Sequence, residues 1–189
     1  FQSNDFIKAK ILIKRAITYD TSNALYHANL GRVYMAVGDL AAACDAWDFA
    51  LTIETNVADV HSDLAGALLK LEKYKAAVEH ADQALALQAH HPEALINKAL
   101  AHNNLGNFER DQMHFEDAVS NYIQALKIAP NESDVYSNLG VAYQEMGKVD
   151  KAISCYQKAI ELDPENAEAH RNLGMAHLQM GAFELGWKE

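Results

Sequence analysis

The side chains able to do chemistry in this 189-residue chain are nine histidines, two cysteines and twenty-six carboxylates. His27, His61 and His170 keep one place in successive units of a pattern set out below, and His90-His91 falls in a loop where both rings are expected to be solvated. Residues a whole unit apart cannot share one ion, so no metal is expected. Cys44 and Cys155 have no CxxC spacing and no Lys or Arg pattern that would favour a thiolate, which makes them inert thiols. No Gly-rich phosphate loop, HExxH or GxSxG is present, so the sequence points to no catalytic residue and no cofactor. The informative polar residues are Asn29, Asp63, Asn97, Asn138 and Asn172, each just before a Leu-Gly pair or its substitute. A row of side-chain amides offers donors and acceptors that can pair with the backbone of an extended peptide whatever its sequence.

Composition narrows the setting in which such a row would work. A formal charge of -10 argues against nucleic acid and anionic membrane surfaces, which require clustered Lys and Arg. The partner should therefore be neutral to basic. Half of the residues are hydrophobic, enough to bury a substantial core, yet no apolar run approaches the roughly 20 residues of a membrane span. Nothing reads as a signal peptide, and sparse cysteine suits a reducing, cytoplasmic compartment. Residues 1–4 resemble an expression-tag remnant, so the natural sequence is expected to begin near Asp5.

The elements that position the amides are set by a repeat. Small residues fall at Ala9, Ala43, Ala77, Ala118, Ala152 and Gly186, in steps of 34, 34, 41, 34 and 34. A second ladder, Ala16, Ala50, Ala84, Ala125 and Ala159, steps by 34, 34, 41 and 34. The period is 34 with one 7-residue insertion. Each unit reads as two amphipathic helices around a tight turn, at Gly38-Asp39, Glu72-Lys73, Gly147-Lys148 and Gly181-Ala182. Pro130-Asn131 and Pro164-Glu165-Asn166 separate units. The boundaries follow as a second helix over 5–22 and units over 24–57, 58–91, 92–132 with the insertion, 133–166 and a partial 167–189. Because seven residues make nearly two helical turns, the insertion is predicted to lengthen a second helix in phase, from about Asn107 to Ile128, carrying Phe108, Asp111 and Phe115.

Residues 133–166 place Leu139, Gly140, Tyr143, Gly147, Ala152, Tyr156, Ala159 and Pro164 in a pattern that resembles the tetratricopeptide repeat (TPR). Departures elsewhere are Lys98 for Leu, Ala81 for the second aromatic, and Thr55 and Ala89 for Pro. The resemblance implies an all-α fold, a right-handed superhelical solenoid of antiparallel helix pairs. It also implies a non-enzymatic scaffold holding a protein or extended peptide in its concave groove.

Asn is common at this place in the family, but the row also resembles the asparagine ladder in the peptide-binding superhelix of the O-linked N-acetylglucosamine transferases. The implied groove residues are Asn29, Asp63, Asn97, Asn138 and Asn172, with specificity from Asp134, Arg171 and Gln144. Replacing Asn97 and Asn138 by Ala is expected to weaken binding while leaving stability nearly unchanged. The carboxylate clamp of chaperone-binding relatives is absent, since Leu25, Asp59, Glu93, Asp134 and Glu168 stand where it needs Lys and Arg. Residues 181–189 resemble the lead into a glycosyltransferase-like domain, so a recognition arm of such an enzyme is the alternative. Open ends exposing Phe6, Ile7, Ile11, Leu12 and Ile13 add an expectation of homo-association.

Overall fold

The computed structural model describes residues 2–181, and these form ten α-helices with no strand among them. They are α1 (Gln2–Tyr19), α2 (Ala24–Ala36), α3 (Leu40–Ile53), α4 (Ala58–Lys70), α5 (Tyr74–Leu87), α6 (Pro92–Asp111), α7 (Phe115–Ile128), α8 (Ser133–Glu145), α9 (Val149–Leu162) and α10 (Ala167–Gln179). Two compact units divide the chain, Phe1–Lys98 and Ala99–Glu189. In the first, α1, α2, α3, α4 and α5 pack in succession, and α2 also touches α4. In the second, α7, α8, α9 and α10 do the same, and α8 touches α10. The expected residues 182–189 of the last partial repeat, with Gly186, lie outside the described residues.

Local chemistry explains the boundaries. Asn23, Asp39 and Asn166 each accept a backbone N–H from the first turn of the helix that follows, satisfying a donor the helix leaves unpaired. Helices end at Gly38, Glu72, Met113, Gly147 and Gly181, all at positive φ between 58° and 83°. Their steps of 34, 41, 34 and 34 reproduce the ladder, so the left-handed cap is kept even where Glu72 and Met113 bear its roughly 1–2 kcal/mol steric cost.

Both alanine ladders are buried from Ala43 to Ala159, at 0–1% exposure. One contact shows why small and large residues alternate. Gly31 faces the Trp47 ring, Gly106 that of Tyr122 and Gly140 that of Tyr156, each so close that an added Cβ would lie 2.5–2.6 Å from a ring atom. In the second repeat the same pair is Ala65 and Ala81, both fully buried. Where the aromatic is missing at Ala81, the glycine that must make room for it is also replaced, by Ala65.

The insertion corrects the sequence expectation. It lengthens a first helix, α6, and not the second helix expected over Asn107–Ile128; α6 ends at Asp111, the turn runs through Met113, and α7 starts at Phe115. The missed signal is Asn104-Leu105-Gly106, which lies 34 residues before Asn138-Leu139-Gly140. Asn97 keeps the phase of the earlier repeats and Asn104 that of the later ones, because seven residues return a helix to nearly the same face. Leu105 and Gly106 therefore fill the places that Lys98 and Ala99 leave, and Lys98 instead holds Asp82 at 2.6 Å.

Candidate interaction face

The contacts α2 with α4 and α8 with α10 put first helices side by side, so one face of each unit is lined by first helices. On each, residues i, i+4 and i+7 share that face: Leu25, Asn29 and Arg32 on α2, and Glu168, Asn172 and Met175 on α10. Leu25 and Met175 remain 60% and 55% exposed there.

The expected polar residues lie on or beside these first helices, and their bonding partners are as follows. In the first unit, Arg32 Nε donates to Asp63 Oδ2 at 2.7 Å and Arg32 Nη1 to Asn29 Oδ1 at 3.4 Å, so one guanidinium joins two neighbouring repeats. Burial pushes the Asp63 carboxyl above the usual range, against the opposing pull of Arg32. Asn97 Nδ2 donates to the Ser62 carbonyl at 3.0 Å. In the second unit, Asn138 Nδ2 donates to Asn103 Oδ1 at 3.3 Å, and Asn103 Nδ2 lies 3.5 Å from Asn104 Oδ1. Gln144 accepts from the Tyr156 hydroxyl at 2.9 Å and donates to Gln179 at 3.2 Å. Each of the bonds from Asn97, Asn138 and Gln144 reaches a residue 35 away, one repeat plus one position. Such bonds between repeats contribute about 0.5–1.5 kcal/mol apiece, so replacing Asn97 and Asn138 by Ala is now expected to cost stability as well as any binding.

Asn172 differs. It is 8% exposed, its Nδ2 has no hydrogen-bond partner, and its Oδ1 accepts from Arg171 Nε at 3.4 Å. Ser137 Oγ on α8 is buried and likewise without a partner. Ser137 corresponds in the repeat to Ser62, whose carbonyl Asn97 engages, so at its own level Asn172 lacks the bond made by Asn97. Arg171 also sits 3.6 Å from Glu168.

A second set of contacts runs along the loops between repeats. His91 is buried at 5% exposure, which corrects the expectation that it is solvated. Its Nδ1 accepts from Ala94 N at 3.3 Å, capping α6, which leaves Nε2–H to donate to Asp59 at 3.0 Å. Asn166 repeats the arrangement, accepting from Ala169 N at 2.9 Å and donating to Asp134 at 3.2 Å. Asp134 therefore has a structural partner as well as a place near the face. His27, His61 and His170 each donate through Nε2 to a carbonyl six residues earlier, at 3.1–3.2 Å, fastening the loop to the helix. Burial raises both thiols, that of Cys155 to about 11, which keeps them protonated near neutral pH. Among the described residues, no helix is long and apolar enough to cross a membrane.

Comparisons with known proteins agree with this architecture. A family model described as TPR repeat matches residues 106–147 and 145–181, and two described as tetratricopeptide repeat match 62–111 and 24–48. No curated protein matches the sequence. Among solved structures, MamA from Desulfovibrio magneticus RS-1 is 23% identical, with 88% of this chain and 90% of that chain covered and a TM-score of 0.64. YrrB, a TPR protein with an unusual peptide-binding site, is 20% identical over 93% and 87%, with a TM-score of 0.65. Pseudomonas aeruginosa PilF is 18% identical over 99% and 82%, at 0.64. At these identities the likeness concerns the fold alone.

Proposed function

The chain belongs to the tetratricopeptide repeat family, and from that premise we propose that it is a non-enzymatic scaffold holding an extended, neutral-to-basic peptide or partner segment on its first-helix faces. The observation carrying this reading is the pairing of exposed apolar side chains with polar groups on one face. Leu25 stands beside Asn29 and Arg32, and Met175 beside Asn172 and Arg171. Apolar side chains left in water gain when a ligand covers them, and neighbouring amides pair with its backbone. Asp59, Glu93 and Glu168, each more than half exposed, favour positive charge on the ligand. YrrB, with its peptide-binding site, supports a peptide as the ligand class.

The test is selection from a random peptide library displayed on phage, followed by anisotropy titration of the enriched sequence. We expect peptides with net positive or zero charge, and binding weakened at least about tenfold by Leu25→Glu or Met175→Glu, an effect of about 1.4 kcal/mol. Failure to enrich any peptide, or full affinity in both variants, overturns the reading. The alternative, a substrate-recognition arm of a larger glycosyltransferase, rests on the amide row and on residues 181–189; reading the gene product past Glu189 separates the two.

A further inference from the structure

We propose that the corner between α6 and α7 is a divalent-cation site of borderline hardness, with Zn²⁺ its best-matched ion, held by Glu109, His114 and Asp117. The three residues each offer a ligand atom, and these atoms all lie within 4.8 Å of one another. With bonds of about 2.0–2.2 Å, the donors of a tetrahedral or octahedral ion stand roughly 3–4 Å apart, so only small adjustments close the set. His114 Nδ1 donates to Glu109 Oε2 at 3.0 Å, so the two side chains already point at one another and a bound cation takes the place of that proton. One imidazole with two carboxylates suits Zn²⁺ over Mg²⁺ or Ca²⁺, which take oxygen donors.

The backbone holds the corner rigidly. Glu109 is in the last turn of α6, at 8% exposure, and Asp117 is in the first turn of α7. Between them His114 N donates to the Glu109 carbonyl at 2.9 Å and Met113 N to that of Arg110 at 2.8 Å, across the left-handed Met113. Glu109 is buried and fixed by packing, so only the exposed His114 and Asp117 side chains have to be ordered by the ion.

The same corner in other repeats carries different chemistry. In the fourth repeat the positions are Tyr143, Lys148 and Lys151, and Lys151 Nζ lies over the Tyr143 ring at 5.4 Å, which shows independently that the first and third positions meet. In the second they are Leu68, Lys73 and Ala76, and in the first Tyr34, Asp39 and Ala42. Among these four repeats only the third fills all three with metal-ligating side chains, converging two carboxylates where the fourth has an attractive cation–aromatic pair. The distance between units that forbids the repeated histidines from sharing an ion does not apply, since all three ligands belong to one corner.

The test uses the full chain, stripped with chelator and titrated with ZnCl₂ alone by calorimetry and thermal melting. One saturable equivalent that raises the melting temperature is expected. Asp117→Ala is the clean variant, because the first and second repeats carry Ala at that place, and it should weaken binding at least about tenfold with the apo melt unchanged. His114→Asn should abolish the equivalent. His61→Asn, which breaks the imidazole pair of His61 with His80 at 3.1 Å, in a different repeat from the corner, should leave it intact. No zinc uptake, affinity indifferent to Asp117→Ala, or loss in His61→Asn in place of His114→Asn would each overturn the assignment.

Discussion

Replacing Gly140 by Ala should destabilise the chain, while the same change at Gly66 should not. An Ala Cβ at 140 would stand 2.5 Å from Tyr156 Cε1 and 2.7 Å from Cδ1. The ring has no room to withdraw, because Tyr156 is fully buried and its hydroxyl is held by Gln144 at 2.9 Å. Overpacking of this kind costs about 1–3 kcal/mol, and the conformational gain of Ala over Gly in a helix returns about 0.5–1. The difference spans about 0–2.5 kcal/mol, and because the ring cannot withdraw the loss falls at about 1–2 kcal/mol. At Gly66 the nearest atom is Asn97 Nδ2 at 3.4 Å, the end of a side chain, so the helix gain dominates and stability should rise by up to about 1 kcal/mol. Urea unfolding followed by circular dichroism at the helix band reads both, and a slope near 2 kcal/mol/M turns the Gly140 loss into a midpoint lowered by about 0.5–1 M. Adding Tyr156→Phe, which frees the ring from Gln144, should recover part of the loss in a double-mutant cycle. A midpoint for Gly140→Ala at or above wild type would refute the packing argument.

Three other outcomes follow from the contacts between repeats and the buried groups. Asn138→Ala should lose about 1 kcal/mol in the same urea assay through the bond to Asn103. His91→Ala should lose about 1–2 kcal/mol from the cap and the Asp59 bond, whereas His91→Asn should keep most of it because Asn166 does the same work, as paired thermal melts would show. Burial raises the Tyr122 phenol to about 12, so its folded form resists ionisation; the stability it contributes is present below pH 10 and lost as pH rises towards 12, which tyrosinate absorbance and helicity recorded together should show.

The period of 34 was legible because helix pairs that stack must put small residues wherever two helices cross. Ala43, Ala77, Ala118 and Ala152 are that requirement written into the chain, and all are fully buried. The glycine turns were equally legible, since a left-handed cap favours a residue without Cβ; Glu72 was found by the period of 34 alone, and Met113, lacking glycine and displaced from that period by the insertion, was missed.

The alanine ladders alone did not decide which helix takes the insertion. Two turns preserve the apolar face of either helix; the extent of α6 and the Gly106 contact with the Tyr122 ring show that Asn104-Leu105-Gly106 takes the place of the later repeats' Asn-Leu-Gly inside α6. The polar residues show the same division. Sequence alone placed Asn97 and Asn138 at one repeat position, through the local helical period. That they bond Ser62 and Asn103, each 35 residues away, was decided by tertiary structure, because it depends on how closely neighbouring first helices pack. Local pattern specifies which face a side chain occupies; the partner it meets there is set by packing between repeats.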